Sequence, residues 1–248
     1  DLGVTNVTNS GTIRTQSTST TPLTTGKAWA GTVQYDAAGG QTIMAGTYND
    51  LTLSGSGAKI VGAVTVNGIL SMEGTATTTG TIATYGAAAT LQYKGSAAQT
   101  TGTELPATFA GSGGVIINNA SGVNLGSSVA ITNGLTLTNG ALGVGINTLT
   151  LNGTVSATSG SITSGATGTV IYGSGSAQTI LAADYGNLTF SGAGVKTTPA
   201  GTLLVAGSWS VTGGAAALGT NNTSVTVTGN IAGTGDITVD NAANDLNN

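Results

Sequence analysis

The chain has no histidine and no cysteine. Losing histidine removes Ser-His-Asp triads, Cys-His dyads, His-based zinc or iron sites and the usual general base near neutral pH. Losing cysteine as well removes disulfides and thiolate metal sites. Charge is scarce too: 6% of residues are charged, and the net charge is −4. The five cations (Arg14, Lys27, Lys59, Lys94 and Lys196) are scattered and build no basic stripe, so no nucleic-acid partner is expected. No run approaches the roughly 18 apolar residues of a membrane helix, so the chain is not expected to be membrane-spanning. Aromatic residues make up only 4%. A core of ordinary thickness needs large side chains to fill it, and this stock suits a thin one.

What the chain does have is glycine, 42 residues of it, among Thr, Ser, Asn, Ala, Val, Leu and Ile. Such a composition raises the prospect of disorder. Against it stand 39% hydrophobic residues, only three prolines, and β-branched residues in alternating runs. The low charge and the abundance of Thr, Ser, Asn and Gly point to an extracellular, cell-surface protein. The chain opens on Asp1 without Met or a basic leader, as expected of a mature or trimmed product.

The chain also repeats itself. Gly31 to Lys59 and Gly168 to Lys196 align without a gap and agree at half of their positions. A degenerate third copy runs from Ala89 to Gly111 and is about two residues shorter. Tyr35 aligns with Tyr93 and Tyr172, Tyr48 with Tyr185, and Gln41 with Gln99 and Gln178. Repetition of this kind points to one unit stacked many times.

Helix signals are nearly absent, whereas short β-branched stretches such as Ala63–Asn67, Leu135–Thr138, Thr148–Leu151 and Ser224–Thr228 alternate apolar and polar residues. Asn-Gly pairs at Asn67, Asn133, Asn139 and Asn152 read as tight turns. Those pairs fit antiparallel β-sandwich repeats as well as the corners of a solenoid. Spacing favours the solenoid. The interval from Gly55 to Gly68 in one copy and that from Gly192 to Gly207 in another differ by an even step, which preserves the side chains that face inward. The expected fold is all-β: a parallel β-helix (β-solenoid) over residues 31–240, with coils of about 20 residues. Residues 1–30 are expected to form an N-terminal arm or cap with possible strand exchange, and 241–248 a polar tail.

The motif, its glycine spacing and the Thr/Asn/Gly-rich strands resemble the β-helical repeats of bacterial secreted surface proteins, such as filamentous haemagglutinin-type adhesins and autotransporter passengers. The resemblance covers about residues 31–240 and is one of rhythm and composition. It implies a secreted, elongated structural or adhesive protein and carries over no catalytic residues.

Candidate chemistry is thin. The nine carboxylates do not recur between copies: Asp36 and Asp184 fall at unlike positions, and Asp50 aligns with Asn187. Turn capping suits them better than a polysaccharide-cleaving pair, so no catalytic residue, enzyme activity or cofactor is expected. For metals, oxygen ligands suffice for calcium, and the candidates are Asp236, Asp240 and Asp245, without any EF-hand loop or GGxGxD repeat. Lys59 and Lys196 read as solvated charges that discourage sheet-edge association. Tyr35, Tyr48, Tyr93, Tyr172 and Tyr185 with Gln41, Gln99 and Gln178 are the structural or glycan-contact candidates. As structure they are ring ladders and corner plugs; as function, a carbohydrate-stacking strip. Thr136-x-Thr138, Thr148-x-Thr150 and Thr226-x-Thr228 read as solvent-facing strand surface. The function expected is a non-enzymatic extracellular structural protein, a subunit of a self-assembling fibre, sheath or surface layer. Its partner is expected to be a homopolymer neighbour, through end-to-end or strand-addition contacts. An adhesin stalk or carbohydrate-binding module, with glycans as partners, is the alternative.

Overall fold

Alternation writes the walls of this molecule. In the strand Lys27–Tyr35, Val33 and Tyr35 are buried while Thr32 and Gln34 face outward; Val64–Val66 and Thr148–Leu151 follow the same rule. A computed structural model describes residues 5–80, 84–238 and 246–247. Its strands stack in parallel as a β-solenoid of about 12 turns. They form sheets of 13, 7, 4, 4 and 3 strands. Coil length is not constant. Tyr35 is stacked on Leu53 after a short coil and Tyr93 on Ile117 after a longer one, the difference being absorbed at corners.

Parallel pairing excludes the sandwich, because a two-residue Asn-Gly hairpin joins antiparallel strands. The Asn-Gly pairs serve other ends. At Asn67-Gly68 the chain turns between walls, and both amides donate to the coil before, to the carbonyls of Tyr48 at 2.9 Å and Asn49 at 2.7 Å. Asn139-Gly140 is no turn but lies inside the strand Leu135–Gly143, where the register shifts by one residue against Asn118.

Within the expected arm or cap, two strands already join the stack. Asn6–Val7 pairs with Ala28–Trp29, and Thr12–Thr15 with Thr32–Tyr35, so stacking begins before the first motif. Their alternation is short and irregular, which hid them. Both strands pair within this chain.

Each coil carries three walls, and following one column of inward residues shows how the repeats sit. Tyr35 is succeeded by Leu53, Met72, Tyr93, Ile117 and Leu137, and the column ends on Ala157, which is exposed. On another wall Tyr48 is followed by Val66 and Tyr85, whose ring packs edge-on against Phe109 with centroids 4.9 Å apart. Phe109 then leads through Ile131 and Leu151 to Tyr172. Tyr172 aligns in sequence with Tyr35 yet continues the wall of Tyr48. The second copy of the motif therefore sits one wall further round. The unit that recurs is a corner, not a position on the rod. Beyond it, Tyr172, Phe190 and Trp209 make an edge-to-face ring ladder that fills the later coils.

Candidate functional site

The recurring residues meet inside the rod. Residues 36–40 carry the chain around a corner between Tyr35 and Gln41, and Gln41 turns inward rather than out. Its Oε1 accepts from the Ala37 N–H at 2.9 Å, while Nε2 donates to the carbonyls of Thr15 (3.1 Å) and Ser17 (3.0 Å) in the preceding coil. Gln178 repeats this geometry: Oε1 accepts from Ser174 N–H at 3.3 Å, and Nε2 donates to the Leu151 and Gly153 carbonyls at 2.9 and 2.7 Å. Gln99 accepts from Gly95 N–H at 3.1 Å and donates to the Met72 carbonyl at 3.3 Å. A side-chain amide thus takes over bonds that a backbone ladder would make, because the backbone is occupied with turning.

The two recurring lysines overturn the sequence reading. Lys59 and Lys196 are each 0% exposed. Lys59 Nζ donates to the carbonyls of Ala37 (3.0 Å) and Gly39 (3.1 Å) and to Gln41 Oε1 (3.0 Å). Lys196 Nζ donates to the carbonyls of Ser174 and Gly194, both at 2.8 Å. The stem runs along the core and the ammonium caps loop carbonyls that would otherwise be orphaned. Burial pulls both amines below the ordinary lysine range; for Lys59 the negative charge of Asp36 pushes partly back. In the third copy the donor is an amide: Asn119 Nδ2 reaches the Ala97 carbonyl at 2.8 Å and Gln99 Oε1 at 3.0 Å. Glutamine ties each corner to the coil behind it, and lysine or asparagine ties it to the coil ahead.

The tyrosines form matched pairs across the lumen. The hydroxyls of Tyr35 and Tyr48 lie 3.2 Å apart, Met44 N–H donates to Tyr35 at 3.2 Å, and Tyr48 donates to the Met44 carbonyl at 2.7 Å. Tyr172, Tyr185 and Leu181 reproduce the set at 2.8, 3.2 and 2.8 Å. Desolvation raises all these phenols, that of Tyr172 to about 12. Their rings are at most 1% exposed and offer a glycan no stacking platform.

The third copy departs from the pattern. It is shorter and lacks the second tyrosine, and Glu104 fills the place. Tyr93 donates to Glu104 Oε1 at 2.7 Å, Gly102 N–H donates to the same oxygen at 2.8 Å, and the Thr78 hydroxyl donates to Oε2. Tyr85 donates to the Glu104 backbone carbonyl at 2.5 Å. Sequence reasoning missed this carboxylate; its signal was the missing tyrosine in the shortened copy.

The remaining acids play separate parts. Asp36 is buried against Arg14, with Gln16 Nε2 donating at 3.3 Å, and its Oδ1 has no partner. Asp50 Oδ1 accepts from Ile69 N–H at 2.7 Å, and Asn187 Oδ1 accepts from Ser208 N–H at 3.0 Å. The interchange of acid and amide at aligned positions follows: the corner needs an acceptor, not a charge. Asp184 and Asp236 are exposed, and Asp240 and Asp245 lie outside the described residues. Among the described residues no three acids gather as a metal set. No family model, curated protein or solved structure matches the chain.

Proposed function

We propose that this chain is a non-enzymatic structural element of the cell exterior: a rod that forms part of a self-assembling fibre, sheath or surface layer, of the kind built by filamentous haemagglutinin-type and autotransporter proteins. One observation carries this reading. The Tyr, Gln and Lys side chains that the copies share are buried and consumed inside the rod, the tyrosines across one coil and the glutamines and lysines between coils. Selection for a reactive site leaves the opposite trace, since shared chemistry has to reach its substrate.

The route to assembly is the backbone. Among the described residues, Asn6–Val7 and Thr12–Thr15 bond only to the following coil, and Ile231–Gly233 and Asp236–Thr238 only to the preceding one. Such edges accept a further parallel coil, from the same polypeptide or from a second copy. A second copy docked this way makes a head-to-tail contact that propagates unless it closes. Negative-stain microscopy of the concentrated protein is expected to show rods joined end to end. Strictly single particles at every concentration would overturn the self-assembly.

A further inference from the structure

Among the described residues, the strand carrying each recurring glutamine lacks a partner on one side. Gln41–Ile43 bonds only to Ala58–Val61, Gln99–Thr100 only to Val123–Asn124, and Gln178–Thr179 only to Lys196–Thr197. In each case the missing neighbour is the coil behind. At Gln99 and Gln178 the interruption covers two walls. Thr77–Gly80 bonds to Ala58–Val61 and not to Gln99–Thr100; on the next wall Thr84–Tyr85 bonds to Val64–Val66 and not to Thr108–Phe109. Likewise Val155–Thr163 bonds to Leu135–Gly143 alone, while Gln178–Thr179 and Asp184–Tyr185 both look only forward.

One wall remains continuous at each place. Ile69–Gly74 pairs with Thr90–Gly95 along its whole length at the first, and Thr148–Leu151 does so with Thr169–Tyr172 at the second. Grooves open along the broken walls, between Thr78–Thr79 and Thr101–Thr103, and between residues 161–164 and 182–184. Side chains close them, with one backbone bond, from Ser112 N–H to the Ala87 carbonyl at 2.8 Å, at the first. Gln99 reaches the Met72 carbonyl, and Gln178 the Leu151 and Gly153 carbonyls, at the corner beside the continuous wall. Away from it Thr78 reaches Glu104 at the first seam, and Gly186 N–H donates to Ser164 Oγ at 3.0 Å at the second.

We propose that these two seams are hinges: the rod is three stiff blocks, each joined to the next by one continuous wall, with the glutamine amide as the latch at the corner beside that wall. Opening a seam breaks a few side-chain bonds and, at the first, a single backbone bond but no ladder, whereas opening the rod within a block breaks backbone ladders. The rod therefore bends at residues near 80–105 and 155–185 and stays straight between them. Bending at the seams does not require that rods polymerise.

The absence of cysteine makes the test clean, since paired labels can be placed without background. Spin labels at Ile146→Cys and Thr234→Cys, both exposed, span the second seam; Ile146→Cys and Ser112→Cys lie within the middle block. Electron-spin distance measurements on the full chain should give a broad or two-peaked distribution for the spanning pair and a narrow one for the control. Adding Gln178→Leu, which removes two inter-coil bonds, should raise the open population about tenfold. Equal, narrow widths for the two pairs in the otherwise unaltered chain overturn the hinge, and that comparison stands even if Gln178→Leu fails to fold. A folded Gln178→Leu chain with an unchanged distribution overturns the latch.

Discussion

A buried phenol resists ionisation, and six of them make this rod sensitive to alkali. All six tyrosines have raised pKa values, chiefly through desolvation. In the unfolded chain each ionises near the ordinary value of 10.0. Above that pH the folded state holds more protons than the unfolded one, so stability falls as pH rises. Tyr172, shifted to about 12, contributes on the order of 3 kcal/mol that is present below pH 10 and lost between 10 and about 12. Lys59 and Lys196 act in the opposite sense. Their amines are lowered, so between the lowered value and 10.5 the unfolded chain binds the extra proton and stability rises with pH. Above 10.5 the amines add nothing further, and the raised phenols alone carry the fall. Near-ultraviolet tyrosinate absorbance should stay silent up to a cooperative alkaline unfolding and then appear together with loss of strand signal. Smooth titration near pH 10 with the fold intact would contradict the burial on which this rests.

At the scale of the element, the corner is where sequence was most and least informative. The motif itself was visible as Tyr, Gln and glycine recurring at fixed spacing, and the inward face of each strand followed from alternation. The lysines were not, because a lysine after a turn normally keeps its head in water; only the stacked loops around Lys59 and Lys196 supply carbonyls in place of water. Wall assignment was equally hidden, since the distance between two copies along the chain does not reveal a coil length that varies from corner to corner. Glycine spacing, by contrast, reported a real constraint. Gly55 and the aligned Gly192 have φ of 73° and 72°, and an added Cβ would run into the carbonyl oxygens of Ala37 and Gly173 in the coil behind. Both the left-handed backbone and that neighbouring coil forbid a side chain. Gly55→Ala or Gly192→Ala should cost roughly 2–4 kcal/mol in denaturant unfolding. Gly39→Ala, which meets nothing within 4 Å, should cost far less. Equal losses at the three positions would show that chain entropy, not coil contact, governs these glycines.

At the scale of the whole molecule, stability is a sum over neighbours. Each coil touches only the coils before and after it, so cooperativity passes along the rod through ladders and the rings stacked beneath them. At the two seams one ladder carries it, together with core contacts such as the Tyr85–Phe109 pair. Transmission of unfolding across a seam therefore depends on side chains whose loss costs little beyond the seam itself. Denaturant unfolding of the full chain should depart from two-state behaviour, with an apparent m-value well below that expected for the surface exposed by a cooperatively unfolding chain of this length. Native-state hydrogen exchange should resolve the same event as three groups of amides, divided near residues 80–105 and 155–185, each group opening with its own free energy. The block after the second seam, with its ladder of Tyr172, Phe190 and Trp209, should be bound into one unit by those rings. Phe190→Leu ought then to lower the protection of that block while leaving the first block unchanged. A single transition with uniform protection from end to end would mean that one continuous wall suffices to couple the coils, and the rod would be one cooperative body despite its broken walls.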